Sequence, residues 1–289
     1  VNEPTALDLS LIAGAFAWGA SAVRVLLPGR RGHGAEGLMR NLDHANAALD
    51  GMGLGHATPR AAAIETDDPF SLGEALAALP RAAFGFAPAT HQAIGTPREM
   101  ALQAFRSLRS AAAAPVETVA MPALAPFGLA RVDAAGCTLC LACTSVCPTS
   151  AFSANPEMPQ LRFLEAACVQ CGLCAATCPE KVITLEPRLN FSEAAAMPQV
   201  VKQEEPAACP RCGKLFGTKA SIARVKAKLA VHWMFTDPAR MAILDLCEDC
   251  RVAEATSGRI DPYAGPARPA TKTTEDYLRE AERAKQKEP

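Results

Sequence analysis

The sequence has few aromatic residues and no strong excess of either charge. Aromatic side chains make up 5% of the 289 residues, with two tryptophans and two tyrosines, while alanine is abundant. This composition favours helix-rich packing with few large anchoring side chains. Lysine and arginine number 29 against 30 acidic residues, which gives a net charge of −1. A chain with such an even charge balance lacks the broad basic surface that binds phosphate backbones. The balance therefore argues against a nucleic-acid-binding protein.

A hydrophobic run long enough to cross a membrane is also missing. The apolar stretch at residues 9–23 is shorter than the roughly 20 residues that a membrane-spanning helix needs. Glu3 and Asp8 precede this stretch, and no positive charge does. A secretory signal peptide instead begins with a positively charged segment. The pair Arg30-Arg31 lacks the apolar stretch that follows it in a twin-arginine export signal. We therefore expect a cytoplasmic protein without membrane insertion.

No cysteine occurs before position 137, so all twelve cysteines lie at or after that position. Eight of them form one pattern that occurs twice, 31 positions apart, each copy ending in a cysteine followed by proline. The two copies are Cys137, Cys140, Cys143, Cys147-Pro148 and Cys168, Cys171, Cys174, Cys178-Pro179. Such spacing is typical of a pair of iron–sulfur clusters, because three close cysteines ligate one cluster and the fourth cysteine ligates the other.

The interlocked pattern predicts which cysteines share a cluster. We assign the first cluster to Cys137, Cys140, Cys143 and Cys178, and the second to Cys168, Cys171, Cys174 and Cys147. The alternative, a disulfide scaffold, needs an oxidising compartment, and nothing else in the chain indicates export. The cysteine triplet of a radical enzyme does not occur. We therefore expect two fully ligated, oxygen-sensitive [4Fe–4S] clusters.

Short apolar segments surround these cysteines. Residues 161–164 and 182–185 are predicted to form the strands that flank the two clusters. Each half buries little apolar surface alone, so bound clusters are expected to supply much of the folding free energy. Apolar residues next to the cysteines are expected to keep water from the clusters and also to serve as ordinary core: Leu139, Leu141, Val146, Val169 and Leu173.

Four further cysteines form a second kind of pattern: Cys209, Cys212, Cys247 and Cys250. Two paired knuckles of this spacing provide the four thiolates of a tetrahedral zinc site, and Pro210 and Gly213 suit a tight knuckle. A mononuclear iron centre and a third iron–sulfur cluster are the alternatives. His232 lies between the knuckles, where a packing or surface role is favoured over metal ligation. The basic residues nearby favour an acidic protein partner over nucleic acid.

The predicted fold class is α+β with several domains. Residues 1–95 are predicted to form an α/β domain with parallel strands at 22–27 and 61–65, too few for a complete doubly wound sheet. Helices are expected at 7–18, at 35–49 and from Pro69 to Leu79. A connector rich in proline and alanine follows at 96–126, with one helix near 98–112.

The remaining boundaries follow from the cysteines. We place the dicluster module at 127–190, a zinc-ribbon-like module at 200–255 with a helix near 218–230, and a charged tail at 256–289 with helical spacing of its charges.

Two glycine-rich segments are candidates for phosphate binding. Residues 51–55 follow a helix, whereas a dinucleotide-binding fingerprint follows a strand, so that interpretation is rejected. Residues 29–34 lie between strand and helix, where backbone amides can receive an anion. An ordinary flexible turn is favoured there.

The front part of the chain resembles a known redox subunit. Residues 19–23, Gly32-His33-Gly34, Arg40 and Gly53-Leu54 are similar to the delta subunit of methyl-viologen-reducing hydrogenase. In that family the turn carries cysteines for a [2Fe–2S] cluster. This chain has no cysteine there and departs from the family at that point.

The rest of the chain resembles larger proteobacterial 4Fe–4S ferredoxin proteins of the bacterial dicluster type. The resemblance rests on residues 125–128, on the two cysteine runs and on Cys247-Glu248-Asp249-Cys250-Arg251. Such proteins have an α/β part before a dicluster module and a cysteine module after it. The family is associated with formate dehydrogenase systems, which implies formate dehydrogenase as a candidate redox partner.

The sequence thus predicts an electron-transfer protein without catalytic residues, which relays single electrons between partner oxidoreductases. One alternative is an iron–sulfur subunit of a larger oxidoreductase complex, of the formate dehydrogenase or hydrogenase type. Another is a redox or oxygen sensor whose clusters control partner binding. A scaffold that hands clusters to other proteins is less favoured, because the ligand sets are complete.

Overall fold

A computed structural model describes residues 3–30, 32, 34–79, 87–257 and 269–285. The chain divides into two compact units, which are described separately below. The first contains residues 1–137, 141–154 and 161–202, and the second contains residues 138–140, 155–160 and 203–289.

Helices and strands alternate along the described residues, consistent with a mixed α and β fold. The α-helices are α1 (Leu9–Ala17), α2 (Ala35–Gly51), α3 (Pro69–Ala77), α4 (Pro97–Ala111), α5 (Ala142–Ser145), α6 (Leu173–Thr177), α7 (Lys219–Leu229), α8 (Pro238–Ala242), α9 (Glu248–Thr256) and α10 (Thr274–Lys285). The strands are β1 (Val23–Leu27), β2 (Ala61–Glu65), β3 (Thr118–Ala120), β4 (Gly128–Val132), β5 (Phe152–Ala154), β6 (Gln160–Phe163), β7 (Ile183–Asn190), β8 (Gln199–Gln203), β9 (Pro206–Ala208) and β10 (Leu215–Thr218).

The first unit begins with a small α/β arrangement. Strands β1 and β2 pair in parallel, from Val23 opposite Ala61 to Leu27 opposite Glu65, as the sequence predicts. Asp8 caps α1 by accepting a hydrogen bond from the backbone amide of Leu11. The helices α1, α2 and α4 contribute most of the buried core, whereas α3 buries none of its residues.

Helix α4 belongs to that same core. Thr96 and Glu99 form a capping box at its start, which satisfies exposed amides of the first turn. Further along, Phe105 is fully buried and meets the ring of Phe127 edge-on, with ring centroids 6.1 Å apart. Since β3 also pairs with β7, the segment predicted as a connector joins the front core to the cysteine-rich part of the first unit.

Antiparallel strands frame the cysteine runs. Strand β4 pairs with β7 from Gly128 opposite Pro187 to Val132 opposite Ile183, and β3 lies on the other side of β7. Strand β5 pairs with β6, and β8 lies beside β6. The strands predicted at 161–164 and 182–185 are both present, and the second extends as far as Asn190 because it serves two neighbours.

The second unit contains a β-hairpin and short helices. Strands β9 and β10 pair antiparallel around a turn in which Gly213 has a φ of +75°, a conformation that glycine adopts without strain. Thr218 caps α7, the helix predicted near 218–230. Helix α10 carries the ion pair between Arg279 and Glu275 on successive turns of the charged tail.

In the described part of the chain, no helix combines the length and the apolar character needed to cross a bilayer. Of the glycine-rich turn at 29–34, Arg31 and His33 lie outside the described residues, so the anion-binding interpretation of that turn stays untested.

His44 makes the front core sensitive to acid. It is 4% exposed on α2, and its Nδ1 has no hydrogen-bond partner within the described residues. Burial lowers the pKa of His44, while contacts with the backbone of Ala123 and with Asp43 act in the opposite direction. The neutral ring is therefore favoured in the folded state.

We expect the stability contributed by neutral His44 to be complete above its unfolded pKa of about 6.5 and to be lost as the pH falls through its lower folded pKa. A His44→Gln variant, which cannot be protonated, should lose less stability than the wild type between about pH 7.5 and about pH 5.5. The difference is at most about 1.4 kcal/mol per pH unit. Thermal unfolding midpoints of both proteins measure it, and parallel pH profiles would contradict the prediction.

Candidate metal centres

One cavity of the first unit is lined by four cysteines. They are the four assigned to the second cluster: Cys147, Cys168, Cys171 and Cys174. The cavity has an empty volume of about 320 Å³. Apolar side chains close it, among them Phe152 and Phe163, whose ring centroids lie 4.8 Å apart, and Leu185. Cys147 comes from the first cysteine run and the other three come from the second.

Separate elements bring these four side chains together. Cys147 follows α5, and the turn after it leads into β5. Cys168 ends a short 3₁₀ turn after β6, and Cys174 lies in the first turn of α6. The helices α5 and α6 are in contact, which explains how residues about 20 to 30 positions apart reach one cavity.

Polar groups point at the sulfurs. The backbone amide of Ala151 donates a hydrogen bond of 3.2 Å to Sγ of Cys147, and the hydroxyl of Thr149 lies 3.7 Å from the same sulfur. The side-chain amide of Gln170 donates to Sγ of Cys168 at 3.4 Å. Hydrogen bonds of this kind stabilise the thiolate over the thiol.

The pKa values of these cysteines record the balance between burial and polar contacts. Burial raises the pKa of Cys147, but the backbone amides of Phe152, Thr149 and Ala151 outweigh it and leave this pKa below its usual value. Burial, reinforced by the charges of the neighbouring cysteines, raises the pKa of Cys174 to about 11. Four thiolates can therefore share this cavity only if a cationic group lies among them.

The backbone repeats with the same 31-residue offset as the cysteines. Residues with a positive φ occur at matching places in the two runs. In two of the three pairs both residues are non-glycine, and in the remaining pair Leu141 matches a glycine. The pairs are Leu139 (+52°) with Gln170 (+55°), Leu141 (+60°) with Gly172 (+80°), and Ser150 (+53°) with Lys181 (+55°). Non-glycine residues rarely adopt this backbone conformation, which costs about 1 to 3 kcal/mol for each such residue.

Left-handed residues next to right-handed ones turn successive backbone N–H groups to one side. The resulting nest binds anions, including iron–sulfur clusters with their thiolate ligands. The cavity at Cys147, Cys168, Cys171 and Cys174 thus fits a [4Fe–4S] cluster: it provides four sulfurs, N–H donors and an apolar wall. A bound cluster accounts for the strain of these backbone positions.

The four cysteines assigned to the first cluster stand at the equivalent positions of the sequence pattern. Cys137 is partly buried, Cys140 is exposed, Cys143 is buried in α5, and Cys178 is buried at the end of α6. All twelve cysteines lie in the described part of the chain and none forms a disulfide, as expected.

The second unit brings the last four cysteines together. The sulfurs of Cys209, Cys212, Cys247 and Cys250 all lie within 4.8 Å of one another. Those of Cys212 and Cys247 are 3.6 Å apart. A tetrahedron with Zn–S bonds of about 2.3 Å has edges of about 3.8 Å, so the spacing suits one metal ion and is far too long for a disulfide.

A hairpin and a helix start hold this four-cysteine group. Cys209 directly follows β9, and its backbone amide and carbonyl bond to Lys214 and Gly213 across the turn. Cys247 caps α9, and Cys250 lies in the first turn of that helix. A hydrogen bond with Cys212 is the main reason why the pKa of Cys250 lies above its usual value, and a bound dication would favour the thiolate instead. His232 is exposed, caps a short 3₁₀ turn and is not in the group.

Three residues near these sites escaped the sequence analysis. Lys214 pairs with Glu248 at 2.6 Å and with Asp249 at 2.9 Å, and so links the two knuckles. Gln170 contacts a cysteine sulfur, and Arg98 donates to the backbone of Cys168. Gln170 stands between two cysteines of the run and was open to inference, whereas Arg98 is 70 positions away from Cys168 and gives no signal in the sequence.

A protein-family model described as a 4Fe-4S dicluster domain matches residues 136–183. The matched segment contains both copies of the cysteine pattern. This segment is therefore a ferredoxin-type iron–sulfur domain that holds at least one cluster, and the prediction of an iron–sulfur protein is confirmed at that level. A search of curated proteins finds no match to this chain.

We expect Cys147 and Cys143, four positions apart in one run, to serve different clusters. Each single variant Cys147→Ser, Cys143→Ser and Cys171→Ser should lose about four irons. The double variant of Cys147 and Cys171 should lose no more iron than either single variant, because both residues ligate one cluster. The double variant of Cys143 and Cys171 should lose about eight irons.

Anaerobic iron and sulfide analysis measures these losses, and the double variants serve as mutual controls. If the double variant of Cys147 and Cys171 lost all its iron, as the double variant of Cys143 and Cys171 does under either assignment, each run would ligate its own cluster. The interlocked assignment would then be wrong.

Proposed function

We propose that this chain is an electron-transfer protein that carries single electrons through two [4Fe–4S] clusters. The observation that supports this most strongly is the repeat of left-handed backbone positions at the same offset as the cysteine pattern. One anion-binding nest is a site for one cluster, and two matching nests favour two. When bound, each cluster supplies a one-electron couple.

The residues of the chain hold the clusters and set their surroundings. Amide donors such as Ala151 and Gln170 offset the negative charge of the cysteine sulfurs. Phe152, Phe163 and Leu185 exclude water from the cavity. Both effects tune the reduction potential of a bound cluster. No residue near the cysteines is assigned to bond-making chemistry, so electrons enter and leave through partner proteins.

The interlocked ligand sets are the basis of our proposal that the two clusters act as one relay. The first cluster would be held by Cys137, Cys140, Cys143 and Cys178, and the second by Cys147, Cys168, Cys171 and Cys174. Contact between α5 and α6 supports this exchange of the fourth ligand. Electrons could then pass between the clusters without leaving the module.

The four-cysteine group of the second unit is proposed to bind structural zinc. Its sulfur spacing and its position between a hairpin and a helix start support this role. In a zinc-ribbon-like module the metal replaces a hydrophobic core, which suits a region in which α7 and α9 bury no residue. The module would stabilise the second unit and offer a docking surface.

An iron–sulfur subunit of a larger oxidoreductase complex is the second candidate. The resemblances to ferredoxin proteins associated with formate dehydrogenase and to a hydrogenase delta subunit favour it. Formate dehydrogenase is accordingly our proposed partner. Purification of the chain alone and as a monomer would favour a free carrier, whereas a stable complex with a catalytic subunit would favour the subunit role.

We expect the anaerobically isolated protein to contain about eight irons, about eight sulfides and about one zinc per chain. Replacing Cys209 and Cys212 by serine should remove zinc and leave the iron unchanged, because the two kinds of site share no ligand. Elemental analysis of the wild type and this variant tests the assignment. Iron well above eight, or iron lost in the variant, would make the four-cysteine group a further redox centre.

We expect dithionite-reduced protein to return about two electrons per chain to a one-electron acceptor, since each cluster stores one. Anaerobic titration followed by visible absorbance and EPR counts them. The double variant of Cys143 and Cys171, with both clusters removed, is the matched control and should return none. A wild-type protein that loads its clusters but cannot be reduced and reoxidised reversibly would contradict an electron-transfer role.

A further inference from the structure

Arg98 reaches from the front core into the loop that carries Cys168. Its Nε donates to the carbonyl of Ala166 at 2.7 Å, and its Nη2 donates to the carbonyl of Cys168 at 2.7 Å. Its Nη1 donates to the carbonyl of Pro126. The guanidinium also lies over the ring of Phe127, 4.7 Å from the centroid. Three backbone carbonyls and one aromatic ring thus hold this side chain in a single position.

The helix that presents Arg98 is itself fixed. Arg98 lies in the first turn of α4, between Thr96 and Glu99, which form the capping box. Later turns of α4 are anchored in the core by Phe105 and Leu108, which are 1% and 0% exposed. A guanidinium on so rigid a support is preorganised and loses little freedom when it forms its hydrogen bonds.

The charge of Arg98 is directed at the cysteine loop. Within the described residues no carboxylate pairs with Arg98, and its N–H groups donate to neutral carbonyls. The guanidinium stays protonated at any ordinary pH. A permanent positive charge therefore acts on one ligand of the second cluster.

We propose that Arg98 is a positioning residue that raises the reduction potential of the cluster held by Cys147, Cys168, Cys171 and Cys174. This inference rests on the proposed function, since it requires a cluster at those cysteines. Adding one electron makes the cluster and its ligands more negative by one charge. A nearby positive charge stabilises that reduced form more than the oxidised form. The front core thereby sets the potential of a cluster to which it contributes no ligand.

The charge of Arg98 is tested by replacing it with neutral and with charged side chains. Arg98→Gln and Arg98→Met remove the charge, and Arg98→Lys keeps it without the planar fork. Arg106→Gln is the matched control, because Arg106 is an exposed arginine on the same helix. Potentials of both clusters are measured by EPR-monitored anaerobic redox titration, with iron and sulfide contents measured in parallel.

We expect Arg98→Gln and Arg98→Met to weaken reduction of the second cluster about tenfold, a fall of about 59 mV for a one-electron couple. The first cluster should change less, and iron and sulfide should stay at their wild-type content. Arg98→Lys and Arg106→Gln should keep the wild-type potential. To assign the signals, the titrations are repeated with Cys143→Ser added, which leaves the second cluster alone.

Equal potentials of the second cluster in wild type, Arg98→Gln and Arg98→Met would overturn the inference. An equal fall in Arg98→Lys would also overturn it, because the contact geometry of Arg98 would then matter and its charge would not. If neither neutral variant loads the second cluster, wild type and Arg98→Lys decide. Equal potentials support the role of charge, and a shift in Arg98→Lys overturns it. Failure of the proposed function is distinct, since wild type would then lack the second cluster altogether.

Discussion

Repulsion among crowded cysteine sulfurs is the constraint on which the rest of this structure depends. In the first unit four sulfurs line one small cavity, where burial and the charges of the neighbouring cysteines raise the pKa of Cys174 to about 11. In the second unit four sulfurs lie within 4.8 Å of one another. Neither arrangement is stable with all thiols ionised and no cation present. A cluster or a metal ion removes the repulsion, and its binding free energy then becomes folding free energy.

The chain meets this constraint with its backbone as much as with its side chains. Leucines at 139 and 141, Gln170 and Lys181 all take a conformation that costs free energy in an isolated peptide. Such strain is retained where it turns amides toward a bound anion. The front core contributes a further contact, since Arg98 of α4 donates hydrogen bonds to the carbonyls of Ala166 and Cys168. The α/β region of the first unit therefore contacts the loop that carries Cys168.

Much of the local structure could be predicted because its causes are local. Asp8, Thr96 and Thr218 cap α1, α4 and α7 near the positions that sequence periodicity indicates. Parallel pairing of β1 and β2 followed from the helix between them. The lengthening of β7 to Asn190 was not predicted, because a strand with neighbours on both sides is stabilised by pairing rather than by its own residues.

The sequence by itself determined the chemistry of this protein: which cysteines occur, their repeat at 31 positions, and hence an iron–sulfur domain at residues 136–183. Ligand spacing is local information, since a cluster or metal ion accepts only certain separations along the chain. Tertiary packing, by contrast, explains why Lys214 links the two knuckles and why Arg98 reaches Cys168. These contacts join residues far apart in the chain, and such pairs are set by how whole elements pack rather than by any pattern in the residues themselves.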